Sequence, residues 1–167
     1  MRWDRLFDEL EGQAHDIELE ERDAFADELR DGTWAETPWR RMLGGRVALA
    51  VRGAERVEGE VILVNDHVVH LRGDGFEHIV SASAVLTVLS TERRSEAPSV
   101  VRSALGWRHV LRALRGAGEE VRVHLVDGAA RDGLVRVVGH DFVQLRVPSG
   151  RDQIVPFSSI AVVSGRT

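Results

Sequence analysis

The sequence predicts an α+β fold that is mainly β, built from two tandem copies of a small, strongly turned antiparallel unit. Two observations carry this expectation. The stretch from Val121 to Val163 consists of short apolar runs with alternating polarity, cut by Asp127-Gly128, Gly139 and Pro148-Ser149-Gly150. Apolar residues at every second position place Val121, Val123 and Leu125 on one face, and the turn residues bound each run. The same unit also occurs earlier: a shift of 74 positions superposes Val47 to Arg72 on Val121 to Arg146 without a gap. One inserted residue then aligns Ile79 with Ile154, Val80 with Val155, Ser83 with Ser158 and Val88 with Val163. The matches fall on core-type valines and leucines and on Gly59 and Gly133. Each of those glycines follows an acid (Glu58, Asp132) at the start of an apolar run, as expected where a bulge, a positive φ or a close backbone approach is needed.

The chain divides into an N-terminal helical region at 1–43, a first β unit at 44–90, a linker and amphipathic helix at 91–118, and a second β unit at 119–167. Trp3, Leu6, Phe7, Leu10, Ala14, Ile17, Ala24, Phe25 and Leu29 recur mostly three or four apart between charged residues, which predicts one long amphipathic helix, or two in line, with Gly12 as a weak point. Asp31-Gly32-Thr33 is expected to stop it. From Trp34 to Leu43 a short helix or turn follows, with Thr37 as cap and Pro38 at the first helical position. Trp34 and Trp39 lie near Met42 and Leu43 and are expected to pack rather than to form an exposed contact.

Gly44-Gly45 opens the first unit, and Gly73-Asp74-Gly75 marks a hairpin inside it. The polar stretch from Glu92 to Ser99 is a linker, whose Ser99 can cap a helix over 100–115 that ends at Gly116-Ala117-Gly118. At 100° per residue Val100, Ala104, Trp107, Leu111 and Leu114 share one face of this helix. Arg108, Arg112 and Arg115 lie together on its flank, with Arg102 further round.

Composition narrows the function classes. There is no cysteine, so disulfides, thiolate chemistry and Cys-ligated zinc are excluded. No apolar run reaches the roughly 20 residues that cross a bilayer, and the start, with Asp4, Asp8, Glu9 and Glu11, lacks the basic and apolar regions of a signal peptide. A soluble cytoplasmic protein without membrane partners is expected. All 22 basic residues are arginine, an amino-acid bias that follows G/C-rich coding and says little about function. The net charge of −5 is uneven: residues 1–33 carry twelve acids against four arginines, −8, which leaves +3 for the remainder. That acidic segment is either a solvated helix face or a screen against non-specific nucleic-acid contact.

No catalytic or cofactor pattern emerges. His67 and His70, three apart in a strand, point to opposite faces and cannot grip one metal without a bulge. The other histidines form no ligand spacing, and the chain has no nucleophile elbow, P-loop or dinucleotide fingerprint. The expectation is therefore no catalytic residue, no metal and no cofactor.

The order of elements in both units resembles the small bent barrels of the Sm-like and SH3-like groups. It runs from an apolar strand through a turn to a glycine-opened strand (Gly133-Leu-Val-Arg-Val-Val), a third strand (His140-Asp-Phe-Val-Gln-Leu) and a last pair around Ile154 to Ile160. A helix precedes each unit, as it usually does an Sm-like barrel. The full chain, with its start Met1-Arg-Trp-Asp-Arg-Leu-Phe and its segment Val123-His-Leu-Val-Asp-Gly, is similar to a group of actinobacterial proteins of unknown function. The barrel resemblance implies two tandem Sm-like or SH3-like barrels and assembly edge to edge by strand pairing. It does not bring the Sm uridine pocket with it. Where that pocket has Asn, this chain has Val68-Val69 and Phe142-Val143. Where it has an Arg-Gly pair, the chain has Val80-Ser81 and Val155-Pro156.

Three readings follow. The first is a non-enzymatic interaction or scaffold module with a protein partner or itself, assembling as a homo-oligomer. The second is a nucleic-acid-binding regulator that contacts RNA or DNA phosphates through Arg102, Arg108, Arg112 and Arg115 with Arg72 and Arg146 from the β units; the same arginines can instead pair with the acidic N-terminal helix. The third is an enzyme whose site gathers dispersed Asp, His and Arg residues.

Overall fold

A computed structural model describes residues 22–24, 26–92 and 100–167. Of the long helix predicted from Trp3 to Leu29, the part up to residue 21 and Phe25 lie outside these residues, as do the linker around Pro98 and the Ser99 cap. The chain forms two compact units, residues 1–38 and 39–167.

In the first unit, residues 22–24 and 26–35 are helical (α1). The helix passes through Gly32 instead of stopping there. Gly32 has no positive φ, and Thr33 bonds back to the Leu29 carbonyl at 3.0 Å, which holds the last turn in helical form. The stop comes at Pro38, whose ring disfavours helical backbone at Thr37. Thr37 does not cap a following helix; its hydroxyl donates back to the Thr33 carbonyl at 2.7 Å.

The second unit begins with a 3₁₀ turn, Trp39–Met42, and is dominated by strands. These are β1 (Gly44–Val51), β2 (Val57–Val64), β3 (Val68–Gly73), β4 (Phe76–Ser81) and β5 (Val85–Glu92), then β6 (Glu120–Leu125), β7 (Ala130–Val138), β8 (Phe142–Arg146), β9 (Asp152–Pro156) and β10 (Ile160–Arg166). The fold is thus mainly β with some helix. All ten strands form one antiparallel sheet that does not close on itself, in the order β5-β1-β2-β3-β4-β10-β6-β7-β8-β9.

Each half of this sheet repeats the other in order and in register. Val47 faces Gly59, and Val121 faces Gly133. The β2–β3 ladder slips by one residue between Val61 and Leu63, and the β7–β8 ladder slips at the equivalent place, between Val135 and Val137. Val69 faces Val80 as Val143 faces Val155, and Leu49 faces Val88 as Val123 faces Val163. The 3₁₀ turns Ala82–Ala84 and Phe157–Ser159 lead into β5 and β10 in the same way. The paired glycines are explained by close approach and not by positive φ: a Cβ on Gly59 would lie 2.9 Å from the Arg72 carbonyl oxygen, and one on Gly133 would lie 2.7 Å from that of Arg146.

Between the halves the sequence pattern predicts one helix, but two form: α2 (Val100–Ser103) and α3 (Trp107–Ala117). The break has a specific cause. Asn65, buried at 3 % exposure, donates 2.8 Å hydrogen bonds to the carbonyls of both Arg102 and Leu105, while its Oδ1 accepts from the backbone N–H groups of His67 and Val68. Those two carbonyls are diverted from helix formation, and extended Gly106 starts α3 afresh. Gly118, in left-handed conformation at φ 68°, ends α3 by donating to the Leu114 and Arg115 carbonyls.

Two apolar clusters fill the unit. The first gathers Leu43, Val47, Leu49, Val69, Leu71 and Val80; the second gathers Trp107, Leu111, Val121, Val123, Val143 and Leu145. They are not partitioned by half. β10 gives Ala161 and Val162 to the first cluster and Ile160 and Val163 to the second. A strand covered on both faces needs a continuous apolar run, and Ile160-Ala161-Val162-Val163 supplies one.

Candidate interaction surface

Among the described residues, no group of three or more His, Asp or Glu side chains is placed to hold a metal ion. His67 sits before β3 against Gly106, whereas His70 bonds Glu77 at 3.1 Å, so the two histidines have separate surroundings. No helix among these residues is long and apolar enough to cross a membrane.

The six arginines singled out from the sequence fall into separate settings. Arg72 on β3 holds Glu77 with bonds of 2.9 and 2.6 Å, and Arg146 at the equivalent position of β8 grips Asp152 through both of its carboxylate oxygens. Burial raises the Glu77 pKa, but its bonds and charge interactions with Arg72 and His70 outweigh that and leave it low; the Asp152 carboxyl is lowered chiefly by its hydrogen bond to Arg146. Arg108 crosses from α3 to His140, donating 2.8 Å to its carbonyl and lying 2.7 Å from Nδ1. Arg112 and Arg115 are exposed on α3 and form no ion pair with a described residue. Arg102 belongs to the α2 corner fixed by Asn65. Pairing of these arginines with the acidic residues before position 22 lies outside the described residues.

The seam between the halves, where β4 meets β10, carries a polar cluster. His78 and Ser164 face each other across the two strands, with Nδ1 2.7 Å from Oγ, and Phe76 stacks on His78 at 6.2 Å. His124 lines the same groove. Burial pushes the His78 pKa below the usual imidazole value, helped by the nearby His124 and opposed by Asp74. Burial likewise lowers that of His124, helped by Arg122. Both rings are therefore held neutral at pH 7. The adjacent Asp132 is held low by its bonds to Arg122, at 2.7 and 2.9 Å. This arrangement ties strands together. The Ser164–His78 pair is a direct cross-strand contact, and the described hydrogen bonds assign no acid to orient the imidazole.

Large apolar side chains also lie exposed at the sheet ends. Among the described residues β5 and β9 each pair with a strand on one side only. β5 presents Leu86 at 57 % and Leu89 at 64 % exposure, and β9 presents Ile154 at 68 %. Beside β5 an open groove of about 530 Å³ is lined by Trp39, Met42, Val85, Leu86, Thr87 and Val88. The expectation that Trp34 and Trp39 pack is not met, while Trp107 is buried. Trp34 is 49 % and Trp39 37 % exposed. Trp39 stays at the surface because its 3₁₀ turn is too short to bury both faces, and Arg40 lies over its ring at 5.8 Å while reaching Asp66 at 2.5 Å. The edge residues escape sequence reasoning because alternation assigns a side chain to a face without saying whether a neighbour covers it. The available signal was the apolar run Val85-Leu86-Thr87-Val88, which aligns with the doubly covered run of β10. No protein-family model matches the chain, and no curated protein matches it.

Proposed function

We propose that the protein is a non-enzymatic, cytoplasmic interaction and scaffold module that self-associates through the edges of its sheet. In this reading each five-stranded half is a small bent barrel of the Sm-like or SH3-like kind, and the chain is an internal pair of such barrels. The observation that carries it is the exposure of Leu86, Leu89 and Ile154 on strands whose outer edges have no described partner. An open apolar edge is a template for strand addition, and a monomer that kept it bare would be prone to aggregate. Light scattering on the purified protein tests the reading. A mass well above 18.5 kDa at tens of micromolar is expected, and a monomer at that concentration refutes it.

A second reading, phosphate-led nucleic-acid binding, is favoured by one observation: Arg112 and Arg115 are exposed on α3 without an ion-pair partner among the described residues. It requires affinity for labelled RNA or duplex DNA that falls strongly between about 50 and 200 mM salt and weakens in the Arg112→Ala/Arg115→Ala variant. Salt-independent binding, or none, excludes it.

A further inference from the structure

We infer that the occupant of the β5 edge is β9 of a second copy of this chain, joined head to tail in the register that β4 and β10 already use within the chain. This rests on the self-association reading above and specifies its partner.

The internal seam is the template. β5 and β10 hold equivalent positions in the two halves, as do β4 and β9. β10 is covered on both faces: Ile160 and Val163 pack in the second cluster, and Ala161 and Val162 in the first. β5 has the same two sets of residues. Val85 and Val88, at the places of Ile160 and Val163, pack against the first cluster. Leu86 takes the place of Ala161 and is 57 % exposed where Ala161 is 0 % exposed. Thr87, at the place of Val162, is likewise exposed. The opposite edge shows the same contrast. β4 and β9 present the same dipeptide, Ile79-Val80 and Ile154-Val155. Ile79 packs on the second cluster beside β10, whereas Ile154 is 68 % exposed.

Carrying the internal register over to the free edges pairs Val155 with Thr87, Ile154 with Val88, Gln153 with Leu89 and Asp152 with Ser90, in place of Val80–Val162, Ile79–Val163, His78–Ser164 and Glu77–Gly165. Leu86 and Thr87 then turn toward the neighbouring copy's second cluster, and Ile154 enters the groove beside Val88, Trp39 and Met42. The charges also fit. Glu77 lies opposite Gly165 while bound to Arg72, and Asp152 would lie opposite Ser90 while bound to Arg146. Pairing two β5 edges with each other would leave Ile154 bare, so the self-complementary alternative leaves half of the exposed surface unexplained. A head-to-tail contact is heterologous and either closes into a ring or propagates.

The absence of native cysteine makes the test direct. Leu89 and Gln153 are exposed, and their templates, Ser164 and His78, are directly opposite each other on adjacent antiparallel strands with their side chains in contact, the placement from which a cross-strand disulfide can form. Under mild oxidation the double variant Leu89→Cys/Gln153→Cys is expected to form a covalent ladder of dimers and larger species. A mixture of the two single variants should give covalent dimer, and each single variant alone should give none. Rapid cross-linking of a single variant with itself overturns the head-to-tail arrangement. Oligomers seen by light scattering without any cross-link in the double variant overturn this register while leaving self-association standing. A monomer in light scattering removes both.

Discussion

Replacing Asn65 with alanine should loosen the corner on which α3 is mounted. The side chain makes four hydrogen bonds, two to carbonyls and two from N–H groups, and is 3 % exposed. A typical buried hydrogen bond contributes about 0.5–1.5 kcal/mol net, and leaving its partner unpaired costs about 1–3 kcal/mol. The four partners are not equally stranded. Arg102 and Leu105 lie at a partly exposed corner where water can replace the amide, whereas Val68 is 0 % exposed and its N–H has no other recourse. Counting one stranded donor at full cost and the rest at the low end gives a loss of about 3 kcal/mol, a large fraction of the 5–15 kcal/mol typical of a domain. For a chain of this length that corresponds to a fall in Tm of about 6–12 °C. Asn65→Asp is the informative companion. It keeps the two acceptor bonds but sets the second carboxylate oxygen against two carbonyls, so it should be no better than alanine. Thermal and urea unfolding measure the loss, and amide hydrogen exchange locates it, with Trp107 to Ala117 expected to lose protection first. A fall below about 2 °C for Asn65→Ala, with α3 protection unchanged, would falsify the account of the helix break.

Other outcomes follow from the same geometry. Gly133→Ala puts a Cβ 2.7 Å from the Arg146 carbonyl oxygen, a backbone atom that cannot swing aside, so a loss of about 1–3 kcal/mol in urea unfolding is expected, while Gly128→Ala meets no atom and is opposed only by its φ of 91°. Ile154→Asp should abolish assembly in light scattering without lowering the Tm of the monomer, because the side chain is 68 % exposed in the isolated chain; burying an isoleucine contributes about 1.5–3 kcal/mol per junction. The seam histidines give a pH signature. Their folded pKa values lie below the ordinary 6.5, so between the folded value and 6.5 the unfolded chain binds more protons, and stability falls as pH drops through that window. The depressed carboxyls Glu77, Asp132 and Asp152 contribute stability that is lost only further down, as pH falls below about 4.5. His78→Gln/His124→Gln should flatten the upper part of the stability–pH curve and leave the lower part; an unchanged upper slope contradicts the burial assigned to the two rings.

How much of this was legible in the sequence depended on whether a residue's role is set by its own strand or by a neighbour. The repeat could be read because ladder register leaves marks at fixed spacing: Gly59 and Gly133 sit where a backbone approaches too closely for a Cβ, and Arg72 and Arg146 sit where an acid waits on the next strand. The stop at Gly118 is local backbone chemistry and was equally readable. The break between α2 and α3 was not, because the group that causes it, Asn65, lies far away in sequence and acts on carbonyls that every residue has. The run-through at Gly32 was missed for a related reason: glycine permits a left-handed stop without requiring one, and Thr33 decides the matter with a bond to Leu29.

The edges were the least legible part, and Ile79 and Ile154 show why. Residue type, flanking valine and ladder position are the same for both, so no pattern in the sequence separates a covered isoleucine from a bare one. The difference arises only because β10 lies on β4, while among the described residues nothing lies on β9. A duplicated unit that buries one copy of an edge inside the chain must leave the other copy at the end of the sheet, with the same side chains and the same unpaired backbone groups. Chain length alone therefore does not remove such an edge. A third repeat would move β9 into a new seam and expose its own last strand, so adding repeats cannot by itself bury Ile154 and Leu86 together.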